Sequence, residues 1–383
     1  IGLVNGEEVP ILFGSKLTGK VGRFDVGIMD VKTRDSDVAP GRNFVVGRVK
    51  ANFWKQSYVG ALFTGGDPAG ISSNRLGGVD LKLFTSNFRG KNLGLTVFGS
   101  KTDTSGLRGK DGACGAEVTY PNDFIDVGYR YRVQGENYNP ALGFVSRRGV
   151  RFSELRTNFR PRPKFWGIRQ MNYQFNYTSF YNLTFRAVES RKIFTAPLNW
   201  RFHGGEHLEY NWQPTFERLF VPFEIHRGVM IPAGSYWFHR HRLEFNSAQN
   251  KPVMFDMTYW FGSFYTGFSH ELRTAVSLRK NRHLTTSVEV QQYVVRLKEG
   301  DFDTRLALLK FDYSFTPFLA LSNFIQYDTD SHNLGLQSRL RWIIKPGNEM
   351  FLVVNRAWQQ NTLDRFEALR TNFRAKLNYT FRF

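Results

Sequence analysis

From about residue 10 to the last residue, apolar and polar positions alternate, broken at short intervals by Gly, Pro, Asn and Asp. Successive side chains of a strand point to opposite faces, so a period of two predicts strands with one apolar and one polar face. Ile125, Val127, Tyr129 and Tyr131 alternate with Asp126, Gly128, Arg130 and Arg132. Leu334, Leu336, Leu340 and Trp342 alternate with Gln337, Arg339 and Arg341. From Leu369 to the terminal Phe383, Phe373, Leu377, Tyr379 and Phe381 oppose Arg370, Arg374, Lys376 and Arg382. That last run is long for a soluble strand, where about five or six residues is usual, and ample for a tilted strand crossing a bilayer.

The pattern gives 21 segments. The first twelve are 10–21, 22–32, 43–53, 56–65, 76–85, 92–101, 110–120, 124–133, 150–160, 167–188, 192–202 and 208–215. The remaining nine are 235–247, 253–261, 263–279, 283–297, 304–315, 318–328, 333–344, 349–359 and 369–383. Connections after odd segments are mostly short (54–55, 120–123, 316–317, 345–348), and those after even segments mostly longer (33–42, 66–75, 134–149, 216–234, 361–368). Short turns on one side and longer loops on the other are the habit of outer-membrane barrels. The expected fold is therefore all-β: a transmembrane, antiparallel, up-and-down β-barrel of the outer-membrane type. Its odd strands run downward and its C-terminus lies in the periplasm. Even strand numbers are the rule for such barrels, so we expect about 22, the missing one lying upstream or in residues 1–4. Asn5-Gly6, a strong turn pair, sits where that strand would turn.

Composition sharpens this picture. No linker or composition break divides the 383 residues, so residues 1–383 are expected to form a single barrel domain. The chain starts at Ile1 without a signal segment, and a signal peptide and an upstream domain are expected to be missing from it. With 37 Phe, 16 Tyr and 8 Trp the chain is well stocked for aromatic girdles, and no apolar run is long enough for a transmembrane helix. A lone cysteine, Cys114, excludes an internal disulfide and a cysteine-based metal cluster. The formal net charge is +19, with 52 Lys and Arg against 33 Asp and Glu. These bases are spread singly at alternate positions, which suits a positive lumen wall and contact with lipid headgroups or lipopolysaccharide better than a nucleic-acid patch. The rivals are a soluble sandwich that happens to end in Phe and a soluble basic β-protein binding nucleic acid.

Two resemblances add to this reading. Lys376, Tyr379, Phe381 and Phe383 resemble the C-terminal signal by which the barrel assembly machinery recognises outer-membrane barrels, with Asn378 where glycine is usual. Residues 11–33 (ILFGSKLTGKVGRFDVGIMDVKT), 137–151 (NYNPALGFVSRRGVR) and 221–238 (VPFEIHRGVMIPAGSYWF) together resemble an uncharacterised bacterial outer-membrane family. In that family a C-terminal barrel follows an N-terminal domain like family-nine carbohydrate-binding modules. The resemblance implies the outer membrane and a link to glycans, and it carries no catalytic residues.

The candidate lumen-lining residues are Arg48, Lys50, Arg130, Arg132, Arg339, Arg341, Arg370, Arg374 and Lys376. A ring of such bases attracts anionic solutes. Asp80, Asp126, Glu244, Glu289 and Asp312 are expected to share their face, and pairing with them would make the bases structural. His203-Gly-Gly-Glu-His207 reads as a hairpin end, because a zincin needs its glutamate beside the first histidine. His239 and His241 share a face with Leu243 and Phe245, where headgroup contact is the better reading. His226, in the long connection 216–234, is the one candidate for a rim hydrolase, but no Gly-x-Ser-x-Gly motif accompanies it. No cofactor and no metal are expected. The leading reading is a passage or gated pore with a basic lumen, for anionic or glycan-derived solutes, narrowed by residues 137–151 and 216–234. The alternatives are a non-conducting anchor for a glycan-binding domain or protein complex, and an outer-membrane hydrolase.

Overall fold

A computed structural model describes residues 2–4, 6–37, 39–68, 73–361 and 365–380. Among these there is no helix, and the strands form one antiparallel up-and-down sheet of 22, with two small hairpins beside it. The first hairpin is β1 (Leu3–Val4) with β2 (Glu7–Glu8). The sheet then runs β3 (Ile11–Val21), β4 (Phe24–Thr33), β5 (Asn43–Phe53), β6 (Ser57–Gly65), β7 (Asn74–Phe88) and β8 (Lys91–Thr104). Next come β9 (Gly112–Pro121), β10 (Ile125–Gln134), β11 (Val150–Phe159), β12 (Ile168–Met171), β13 (Tyr173–Asn182), β14 (Ala187–Phe202) and β15 (His207–Leu219). The second hairpin, β16 (Phe223–His226) with β17 (Val229–Ile231), interrupts the meander. It resumes with β18 (Gly234–Asn246), β19 (Val253–Phe264), β20 (Gly267–Arg279), β21 (Leu284–Leu297) and β22 (Gly300–Thr316). β23 (Leu319–Asp328), β24 (Asn333–Lys345), β25 (Asn348–Gln360) and β26 (Phe366–Asn378) complete it.

The register follows from the alternation. Leu340 of β24 lies opposite Leu321 and Leu352, while its neighbour Arg339 lies opposite Ser322 and Val353. A slip by one residue would put every arginine among leucines, so the pattern fixes the pairing. Tight turns supply the rest: Arg89 and Gly90 both take positive φ (50° and 74°), which a two-residue turn twisted to match its strands requires. The apolar face has no second layer over it among the described residues. Leu17 (71 %), Val79 (62 %) and Phe373 (66 %) stay exposed, where a soluble sheet would bury them.

Two expectations are corrected. Residues 3–4 do not supply a barrel strand: Leu3 pairs with Glu8 and Val4 with Glu7, and the 22 strands all come from residues 11–378. The number 22 is reached because Asn172 divides one pass of the chain into β12 and β13 without reversing it. Segment 167–188 also runs past a reversal, since the chain turns at residues 183–186, between β13 and β14. There Asn182 Oδ1 accepts from the N–H groups of Thr184 and Phe185 (both 3.0 Å), and Arg186 takes φ 49°. An Asx turn of this kind needs neither Gly nor Pro, so the alternation shows no break.

The chain packs as two compact units, one of residues 1–160, 174–193 and 216–218, the other of 161–173, 194–215 and 219–383. In each, a connection returns to the polar face. In the first, Tyr138 is buried with Leu76 and Ala113, against Leu62, Phe98 and Val145. In the second, hairpin residues Val229 and Ile231 are buried with Val295 and Leu297 of β21, and Phe264 and Phe302 pack around them.

Candidate functional site

The polar face carries the predicted basic residues. In the first unit three of the four, Arg48, Lys50 and Arg130, are paired with acids. Arg48 forms a two-pronged ion pair with Asp80 (2.5 and 2.9 Å), reaching across the whole of β6. It can do so because the residue between them is Gly60, where a Cβ would meet the Arg48 guanidinium at 2.6 Å and Asp80 Oδ1 at 2.9 Å. Lys50 lies 3.4 Å from Asp25, whose other contact is the Asn52 amide (2.8 Å). Arg130 lies between Glu117 (2.9 Å) and Glu154 (3.6 Å) on the flanking strands, and Arg156 also reaches Glu117 (3.0 Å). Arg132 stands over the Phe152 ring at 4.5 Å.

In the second unit the register gathers bases that the sequence only placed on a common face. Val353 of β25 pairs with Arg339 on one side and Arg374 on the other; Phe351 pairs likewise with Arg341 and Lys376. Four bases thus occupy two adjacent rows. Arg341 pairs with Glu349 at 2.6 Å, and Arg339 lies over the Phe351 ring at 4.7 Å. β24 contains no acid, β25 only Glu349 and β26 only Glu367, which accepts from Asn361 (2.6 Å). Positive charge is in excess here. Arg370, a little further along β26, donates from Nε to Asn372 (3.1 Å). Of the assembly-signal residues, Lys376 lies in β26, Tyr379 follows it and is exposed, and Phe381 and Phe383 lie outside the described residues.

The acids expected on this face are there. Asp126 pairs with Arg160 (3.0 Å), Glu289 with Arg273 (2.8 Å) and Glu244 with Arg242 (3.2 Å). Around Arg242 lies a network that sequence reading missed, although its members alternate along β15 and β18. His207, Glu209 and Glu244 offer ligand atoms within 4.8 Å of one another. Arg242, however, already binds Glu209 (2.6 Å) and Glu244, and the Asn199 and Asn211 amides donate to Glu209 (2.8 and 2.7 Å). The guanidinium supplies the positive charge that these carboxylates need, so the donor set does not fit a metal. Residues 203–206 form the hairpin turn, with Gly205 at φ 101°.

His239 and His241 point to the apolar face. They stack on Trp212 (5.9 Å) and Tyr210 (6.1 Å), and the Tyr210 hydroxyl bonds His241 Nδ1 at 2.9 Å. His226 stacks on Phe302 (4.4 Å) with Nε2 2.9 Å from Asp330. A His–Asp pair is the orienting half of a nucleophilic triad. Yet the nearby Ser331 hydroxyl donates to Asp328 (2.9 Å), and the described hydrogen bonds give His226 no serine.

Two hollows lie along the polar face. One, of about 430 Å³, is bounded by β5 to β8 and residues 138–145; the other, also about 430 Å³, lies on β23 to β26 and includes Gln337, Asn355 and Arg370. No family model matches the chain, and no curated protein matches it.

Proposed function

We propose that the sheet closes into a barrel spanning the bacterial outer membrane, with its polar face inward and its C-terminus in the periplasm, and that it forms a gated passage. The observation that carries the proposal is the pairing of faces. An uncovered apolar face rich in aromatics suits lipid, and a face of charges suits water. The outer aromatic rings would meet lipid and lipopolysaccharide, and the terminal strand the assembly machinery. The rows Arg339–Val353–Arg374 and Arg341–Phe351–Lys376 form the selective wall for anionic solutes, glycan-derived acids included. The paired bases of the first unit act as wall structure instead.

Single-channel recording under a salt gradient tests this. Wild-type protein should pass anion-selective current. The combined variant Arg339→Ser, Arg374→Ser and Lys376→Ser should lose the selectivity while keeping conductance of the same order. Cation selectivity in the wild type would defeat the basic-wall reading.

A second reading has its own support. Residues 135–149 and the β16–β17 hairpin both pack on the polar face, and together they favour a non-conducting anchor for a glycan-binding domain or a protein complex. Silence in the bilayer from folded protein, with current appearing when residues 221–232 are replaced by a short Gly-Ser link, would mark a gated pore. Silence in both would mark the anchor.

A further inference from the structure

The polar face of the first unit changes character beneath residues 138–145. Val46, Leu62, Leu76 and Phe98 occupy inward positions on four successive strands, beside inward positions that carry charge, hydroxyl or amide groups such as Arg48, Thr64, Asp80 and Ser100. If this patch only anchored the connection above it, the two surfaces would close on each other, since packed interiors keep few voids larger than a water. They leave between them a hollow of about 430 Å³, open on one side, instead. That volume lies within the range of small-molecule pockets.

The connection is held up as an arch. At one end the Asn137 amide donates to the carbonyls of Arg108 (3.1 Å) and Gly109 (2.9 Å). Asn139 N–H donates to the Thr102 hydroxyl (3.1 Å), and the Asn74 amide donates to Asn139 O (2.8 Å). Tyr138 and Ser100 share a hydroxyl–hydroxyl bond of 2.8 Å. At the other end Arg147 binds Glu189 (2.9 Å) and Ser190 (2.8 Å). Between these anchors, Pro140, Leu142 and Val145 form an apolar roof.

We propose that this hollow binds a small uncharged amphiphile: a compact apolar body carrying a hydroxyl or amide group. The charged residues lining it are Arg48 and Asp80, and they neutralise each other in a two-pronged pair. A carboxylate or an ammonium would shed its water here against no net counter-charge, which is costly. A neutral hydroxyl or amide can take a donor from Arg48, an acceptor from Asp80, or either from Thr64 and Gln134, while Leu62, Leu76 and Phe98 cover its apolar part. The site lies within the first unit alone, so it does not depend on whether the protein conducts.

The test is a titration of the full chain in nanodiscs of perdeuterated lipid with 1-hexanol, hexanoate and hexylammonium at pH 7, read by saturation-transfer NMR. The expected result is 1-hexanol binding roughly tenfold more tightly than either charged analogue. Leu62→Trp, which fills the hollow, should abolish the 1-hexanol signal, and Val46→Phe should weaken it where Leu62→Trp does not fold. Asp80→Asn uncovers the Arg48 charge and should shift preference toward hexanoate by roughly tenfold. Equal binding of the three probes would overturn the proposal. So would a 1-hexanol signal that survives both filling variants, which would place the probe in the bilayer, or a folded Asp80→Asn protein with unchanged preference. Because no current is read, a negative result here leaves the pore reading standing, and a silent bilayer leaves this one standing.

Discussion

At Gly60 the absence of a side chain lets the Arg48–Asp80 pair cross a strand. Each partner is less than a third exposed (29 % and 17 %), so forcing them apart leaves two poorly solvated charges. Gly60→Val should therefore cost about 1–3 kcal/mol in urea unfolding. Gly47→Val, on the neighbouring strand β5 with nothing within 4 Å of its Cβ position, is the control and should be neutral or better. Equal effects at both positions would mean that the pair contributes nothing. Gly115 likewise leaves room for the Arg132 and Phe98 side chains, each of which a Cβ there would meet at 2.7 Å. Alternation alone told which residues share a face, because that depends only on the period of a strand. It did not tell which base meets which acid. Arg48 and Asp80 are 32 residues apart, and their meeting depends on the registers of β5, β6 and β7 together. For the same reason the excess of base over acid along β24 to β26 looked no different in sequence from the balanced charge around Arg48 and Arg130.

At the scale of elements, the strands were legible and the segments between them were not. A strand repeats its signal over ten or more residues, whereas β16 and β17 have four and three, too few for a period to show. What holds that hairpin is burial. Ile231 is fully buried against Val295 and Leu297, so Ile231→Ala should cost about 2–4 kcal/mol locally, read as faster amide exchange at residues 223–231 with β24 to β26 unchanged. The connection 135–149 is tied by polar groups instead, and one of them titrates. The Thr184 hydroxyl donates to Glu136 and the Lys110 ammonium pairs with it at 2.9 Å, and these contacts hold its carboxyl below the ordinary glutamate value. A carboxyl with a lowered pKa contributes stability that is complete above its unfolded value and lost as pH falls through the lowered one. A nitroxide at position 144, where Phe144 is exposed, should keep one mobility from pH 8 to pH 6 and loosen below about pH 4. The label would be placed in a Cys114→Ser background, and Glu136→Gln should remove the dependence. Loosening between pH 8 and 6 would point to a histidine and away from Glu136.

For the whole molecule the decisive matter is what happens to the outermost strands of a 22-strand sheet whose apolar face has no cover. In water that face would drive aggregation, and in hydrocarbon an open edge would leave a row of N–H and C=O groups unpaired, each at a cost of several kcal/mol. The described residues contain no helix that is long and apolar enough to cross a membrane. A lipid-facing sheet and unpaired edges are compatible only if the edges meet, which makes closure a consequence of the membrane reading and a direct test of it. Cysteine pairs scanned along β3 and β26, in a Cys114→Ser background and in detergent-extracted membranes, should give an efficient disulfide in at least one register. Asn355→Cys with Asn372→Cys, directly opposite in β25 and β26, is the positive control. The cross-linked product should still migrate faster on gels before heating than after, as folded barrels do. Cross-linking in the control with none between β3 and β26 would leave the edges apart, and the bilayer-spanning reading would fall with them. The uncovered apolar face would then need a protein partner to cover it.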